Sequence, residues 1–98
     1  MKYTKFGLVN TQKMFSDALS GGYAIPAFNF YNMETLTAIL DAVRTKHSPV
    51  ILAVSESALK YMGDDMLMAL ISGSKISADE NIALHLDHGS TFDACKHA

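Results

Sequence analysis

The chain has 98 residues, 49% of them hydrophobic and 18% charged, with a formal net charge of −2. That is enough for one small domain with one core and too apolar for a disordered chain. The lack of a basic run argues against a nucleic-acid surface, no apolar stretch approaches the roughly 18 residues needed to span a membrane, and a single cysteine excludes an intrachain disulfide, which fits a reducing cytoplasmic setting.

Met1 to Asn10 carries Lys2 and Lys5 but no apolar stretch, so no secretory signal is expected. Asn10 or Thr11 can cap a helix running to about Ser20, with Met14, Phe15, Ala18 and Leu19 as its apolar face. Gly21-Gly22 ends it. Tyr23 to Phe30 is short and apolar and reads as a strand, with Pro26 early in it or at a gap in pairing. Met33, Leu36, Ile39, Leu40 and Val43 recur at three and four, which predicts a helix to Lys46 capped by Asn32. His47-Ser48-Pro49 stops it, because the residue before proline is pushed out of helical geometry.

Val50 to Val54 reads as a second strand, followed by Ser55-Glu56-Ser57 and a short segment, Ala58 to Gly63. A helix is expected from Asp64 or Asp65 to Lys75, with its acidic residues in the first turn, where the helix dipole favours them. Ser77 to Asn81 is a polar connection, Ile82 to Leu86 a third strand, and Ser90 or Thr91 opens a last helix that is cut after two turns. Strands and helices alternate with a period of roughly 25 to 35 residues, the pattern of an α/β protein with parallel strands. Three strands and a half-built helix leave a sheet edge and a helix face uncovered, so a longer chain is expected.

Ile82 to Thr91 reads Ile-Ala-Leu-His-Leu-Asp-His-Gly-Ser-Thr: a strand that runs into an Asp-His pair, then Gly and a helix cap. An α/β protein collects its chemistry at the carboxyl ends of its strands. Asp87 can move a proton there and His88 can bind a divalent metal; alternatively Asp87 caps the next helix and His88 is a loop histidine. His85 shares a strand face with Asp87. It reads as a metal ligand, a partner that orients a ligand, or a core histidine, the last two being preferred. One ligand is too few for zinc, which takes three or four from the protein. Asn29 and Ser55 fall at the ends of the first two strands and, with Asp87 and His88, outline the floor of a polar pocket; each alone also suits a loop or helix-start role. Lys60, Tyr61 and Glu56 lie near the same rim without a telling spacing. Met62, Met66 and Met68 read as core packing and Cys95 as buried, whereas His47 and His97 read as surface residues. No glycine motif for nucleotide phosphates is present.

The segments Ala-Ile-Pro-Ala-Phe-Asn-Phe-Tyr-Asn, Ser-Pro-Val-Ile-Leu-Ala-Val-Ser-Glu-Ser-Ala-Leu-Lys-Tyr-Met-Gly and Ala-Leu-His-Leu-Asp-His-Gly resemble the first three strand ends of the class II, zinc-dependent ketose-bisphosphate aldolases. The resemblance runs through essentially the whole chain, and Leu-Asp-His-Gly is its most specific part. It implies the N-terminal third of a (β/α)8 TIM barrel of about 300 residues, cut in its fourth helix. It implies a cytoplasmic enzyme of sugar metabolism, a dimer or tetramer when complete. It also implies reversible cleavage of a ketose 1,6-bisphosphate, fructose or its C4 epimer tagatose, into dihydroxyacetone phosphate and glyceraldehyde 3-phosphate.

Carried over by residue, Asp87 matches the acid/base acting on the C4 hydroxyl and His88 the first Zn2+ ligand. Asn29 and Ser55 match residues lining the pocket for the dihydroxyacetone-phosphate half, and His85 a histidine that supports a ligand. Breaking C3–C4 leaves negative charge on an enediolate, which a Lewis-acidic cation stabilises by several kcal/mol. A positioned carboxylate adds roughly 10²–10⁴-fold through proton transfer. The family's other zinc histidines, phosphate-binding loops, monovalent-cation site and second carboxylate have no counterpart in these residues. The 98 residues alone are therefore expected to be inactive. A sugar-phosphate-binding or interaction remnant of the same fold, or another metal-dependent barrel enzyme, stand as alternatives.

Overall fold

Three strands lie parallel in the order β1-β2-β3, as the alternation of strands and helices predicts: β1 (Ala27–Asn29), β2 (Val50–Ser55) and β3 (Ile82–Asp87). They are seen in a computed structural model that describes residues 3–98, so Lys2 of the leader reading lies outside the described residues. Around them run α1 (Thr11–Gly21), α2 (Met33–Lys46), α3 (Glu56–Met62), α4 (Asp64–Gly73) and α5 (Phe92–His97), with 3-10 turns at Tyr3–Phe6 and Ala78–Glu80. Among the described residues no helix is long and apolar enough to cross a membrane.

The sheet has two unlike faces. In register across β2 and β3, Val50 faces Ile82 and Leu52 faces Leu84. These residues point to the side where Leu36, Leu40 and Val43 of α2 and Leu67 and Ile71 of α4 complete one hydrophobic cluster. Phe30, Val50, Leu52, Ile71 and Ile82 are almost completely withdrawn from water there. The alternate positions, Ala27, Asn29, Ile51, Ala53, Ser55, Ala83, His85 and Asp87, take the other face by the period-two rule. Apart from Ile51, that face is built from small and polar side chains.

The helix ends follow their local chemistry. Asn10 caps α1 by accepting from the Gln12 N–H, and Gly22 closes it in the left-handed conformation at φ 70°. Asn32 and Thr35 form a reciprocal capping box at the start of α2. His47 ends α2 in the left-handed region.

Several sequence expectations are corrected. Only Met14 and Ala18 of the expected α1 face are buried; Phe15 and Leu19 are exposed. The first strand is three residues, not eight, because Pro26 has no N–H to pair. Its carbonyl still accepts from Ile51, and Phe30 N–H still donates to Ala53, so pairing reaches one bond past each end. The segment after β2 is a helix, α3, started by the Ser55 hydroxyl accepting from Ala58 N–H. Helix α4 stops at Gly73, two residues short of Lys75, which takes a left-handed φ of 52°. Cys95 is exposed, and so is Met66, whereas Met62 and Met68 are half-buried. His47 and His97 are on the surface as expected.

At the amino end of the sheet, Arg44 in the last turn of α2 binds Glu80 through Nε at 2.7 Å and the Ser74 carbonyl at 2.8 Å. Glu80 also accepts from Ser77 N–H at 2.8 Å. This knot ties α2, the end of α4 and the approach to β3. The Arg44 bond, then the Ser77 N–H, hold the Glu80 carboxyl below its usual value of 4.5. Its stabilising contribution is therefore complete above that pH and disappears as the pH falls through the lower folded-state value. Glu80→Ala is expected to cost about 1 kcal/mol at pH 7, as for a partly exposed pair. Urea titrations should show the gap from wild type narrowing as the pH is lowered from 7 to below 4.5; a gap that does not change with pH would refute the assignment.

Candidate active site

Asn29, Ser55, Asp87 and His88 sit at the carboxyl ends of strands, and His85 lies inside β3, two residues before its end. Asn29 is the last residue of β1, Ser55 of β2 and Asp87 of β3, and His88 follows Asp87 directly. The register aligns Asn29 with Ala53 and His85, and Ser55 with Asp87. All of these strand residues share the small-and-polar face.

The structure brings Asn29 and Asp87 together although β2 lies between their strands. The Asn29 side-chain amide donates to Asp87 Oδ2 at 3.1 Å. Two strand spacings amount to about 9.5 Å, so both short side chains must lean toward each other over β2. The residue of β2 in register with Asn29 is Ala53, 3% exposed and with only a methyl to offer. A long side chain at that position would occupy the path of the bond. The sequence reading overlooked Ala53; the signal available was a lone alanine in a strand otherwise rich in Val, Ile and Leu.

Asp87 is half-buried and His88 fully open: their side chains are 31% and 89% exposed, with His88 Nε2 3.5 Å from Asp87 Oδ1. His88 adopts φ 60°, a left-handed conformation that costs a non-glycine residue roughly 1–2 kcal/mol. Next to it Gly89 is needed for close approach, since a Cβ there would run into Cys95 Sγ and crowd Leu86. Ser55 is both a pocket candidate and a helix cap: its hydroxyl accepts from Ala58 N–H at 3.1 Å and lies 3.1 Å from the Ser57 hydroxyl. His85 is exposed on the polar face, which overturns the core alternative for it.

One further residue joins the site. Glu56, passed over in the sequence, accepts the Ser90 N–H at 2.9 Å and the Ser90 hydroxyl at 3.0 Å. Its available signal was its position, immediately after a strand-end serine. Lys60 and Tyr61 are exposed on α3.

For a metal, His88 and Asp87 offer an open imidazole and a neighbouring carboxylate, a donor set that suits one corner of a zinc site. Among the described residues no group of three or more His, Cys, Asp or Glu converges. The site can thus hold and move a proton at Asp87 and supply one imidazole.

Ala53→Leu should push Asn29 away from Asp87 while leaving the strands paired. A 15N-resolved NMR spectrum would report it as a changed Asn29 side-chain amide signal with the β2 and β3 backbone signals little moved; an unmoved amide would mean that the bond does not depend on a small residue 53.

Comparison with known proteins agrees with this geometry. The family model for fructose-bisphosphate aldolase class II matches residues 9–98. The fructose-bisphosphate aldolase of Treponema pallidum (strain Nichols) is 45% identical over 98 residues, an alignment covering 95% of this chain and 30% of that protein. The fructose-bisphosphate aldolase of Geobacillus stearothermophilus is 44% identical over 96 residues, covering 93% of this chain and 33% of that protein. The chain spans about a third of the length of these curated relatives. An Asp-His pair on a polar strand-end face and a match over nearly every residue lead to one assignment: the chain belongs to the class II fructose-bisphosphate aldolase family.

Proposed function

We propose that these residues form the first part of a (β/α)8 barrel that cleaves fructose 1,6-bisphosphate reversibly into dihydroxyacetone phosphate and glyceraldehyde 3-phosphate. The observation that carries this reading is Asp87, bonded by Asn29 at the end of β3 beside an open His88, in a chain of this family. Fructose is preferred over tagatose because both relatives carry the name fructose-bisphosphate aldolase. The parallel strands and the small-and-polar sheet face suit the inside of a barrel. We place the complete enzyme in the cytoplasm, as a dimer or tetramer acting in glycolysis.

The chemistry divides among the chain's own residues. Asp87 takes the proton from the C4 hydroxyl as the C3–C4 bond breaks, and returns it in the condensation direction. Asn29 donates to Oδ2 of Asp87, which aims the other oxygen while leaving it free to accept a proton. The Ser55 hydroxyl, fixed by its capping bond, lines the pocket for the dihydroxyacetone-phosphate half. His88 holds Zn2+ through a ring nitrogen, and His85, on the same face as Asp87, helps orient the ligands. Bound Zn2+ supplies a Lewis acid for the negative charge that develops on the ketose half, a contribution of several kcal/mol. The remaining ligands, the phosphate-binding groups and any monovalent-cation site belong to parts of the full-length protein outside these 98 residues.

The full-length protein is expected to cleave fructose 1,6-bisphosphate at a rate abolished by chelator and restored by Zn2+. Asp87→Asn should lower kcat by at least about 10²-fold with zinc content unchanged, and His88→Ala should lose the zinc. The 98 residues alone should show no chelator-sensitive cleavage. A coupled assay for glyceraldehyde 3-phosphate with metal analysis checks all four. A full-length protein that binds the sugar phosphate without cleaving it would refute the enzymatic reading in favour of a binding protein.

A further inference from the structure

We infer that Glu56 is a positioning residue: its carboxylate clamps the turn that carries Asp87 and His88 to the end of the neighbouring strand. The clamp is bidentate, taking the Ser90 N–H at 2.9 Å and the Ser90 hydroxyl at 3.0 Å. Charge-assisted bonds of this kind are stronger than neutral ones and, in pairs, fix orientation as well as distance.

The anchor on the Glu56 side is rigid. Ser55, its neighbour, is the last residue of β2, in register with Asp87, and its side chain caps α3. Glu56 is the first residue of α3 and half-buried. The part being held has little else to hold it. Asp87 is the last paired residue of β3 and Thr91 caps α5, so His88, Gly89 and Ser90 bridge two fixed points. Among the described residues, the two bonds to Glu56 are the only hydrogen bonds made by residues 88–90. His88 sits in that bridge at φ 60°, a conformation its own side chain disfavours. Pinning Ser90 leaves only Gly89 between the clamp and His88, at a position where a Cβ would meet Cys95 Sγ. The direction of the imidazole is then set by a contact from another strand end, not by the histidine's own conformational preference.

Residues that orient a metal ligand from behind affect affinity or activity by about 10- to 100-fold when removed. The role in catalysis rests on the aldolase reading above, so the test has readouts with and without turnover. In the full-length protein, Glu56→Ala, Ser90→Ala, their double variant and Glu56→Gln would be compared by kcat and KM, by Zn2+ affinity and by the visible spectrum of the Co2+-substituted protein. Glu56→Ala should lower kcat and Zn2+ affinity about 10-fold or more, with KM for the sugar phosphate little changed and an altered Co2+ spectrum. Ser90→Ala should act in the same direction, and the double variant should be no worse than Glu56→Ala. Glu56→Gln should recover part of the loss, since its amide can accept from the Ser90 N–H and donate to the Ser90 hydroxyl. Ser90→Ala and Glu56→Gln keep the test decisive if Glu56→Ala does not fold. Unchanged Zn2+ affinity and Co2+ spectra, strictly additive losses, or losses that follow the fall in Tm would each overturn the clamp. A wild-type protein that binds Zn2+ and turns over no ketose bisphosphate overturns the aldolase reading alone, and the metal readouts then decide the clamp by themselves.

Discussion

The parallel register of β1, β2 and β3 is the constraint on which the rest depends. It matches Asn29 to Ala53 and His85, and Ser55 to Asp87, so three distant stretches of chain present their polar ends at one edge of one face. A slip of one residue would send each of these side chains to the opposite face. Such a slip is opposed by the hydrophobic cluster, because Val50, Leu52, Val54 and Ile82 would then leave α2 and α4 for the open side. Packing on one face therefore maintains the chemistry on the other.

The two ends of the sheet carry different work. The amino end is tied by Arg44, Glu80 and the Ser74 carbonyl, contacts that connect helix ends and leave no reactive group free. The carboxyl end holds its polar groups through two separate contacts: Asn29 to Asp87 across β2, and the paired bonds of Glu56 to Ser90 across the turn. The same residue types serve stability at one end and orientation at the other. What differs is whether a carboxylate is consumed by its partners. Glu80 accepts from both Arg44 and Ser77, whereas Asp87 accepts from Asn29 on one oxygen and keeps the other within 3.5 Å of His88.

Much of the fold was legible in the sequence because it is written in local terms. Helices α1 and α2, with Asn10 and Asn32 as caps and Gly22 and His47 as stops, follow from residues within a turn of each boundary. Strands β2 and β3 follow from short runs of branched residues. The errors have a common origin. Helix α3 went unread as a helix although its cap is Ser55, which the sequence offered both to the pocket and as a helix start, and one hydroxyl takes up the capping task while remaining on the polar face. Exposure of Phe15, Leu19 and Cys95 depends on what packs against them, which spacing does not encode. Within the site, Asp87 and His88 were legible because they follow a strand directly. Glu56 and Ala53 were not, since one acts through a residue 34 positions away and the other by being small.

The contrast between Ala53 and Glu56 bears on how this site tolerates change. Ala53 acts by absence: any larger residue obstructs, and chemical similarity to alanine matters less than volume. Glu56 acts by presence of an acceptor, and volume matters less than the ability to take two donors from Ser90. One position thus limits size and the other limits chemistry, yet both influence the same pair, Asp87 from below through Asn29 and His88 from beyond through Ser90. Because the Asn29 bond to Asp87 and the Glu56 bonds to Ser90 share no partner, their losses should combine nearly independently, unlike losses within the Glu56–Ser90 clamp itself. Independence between the supports and coupling within one of them is the energetic pattern expected of a site assembled from separate strand ends.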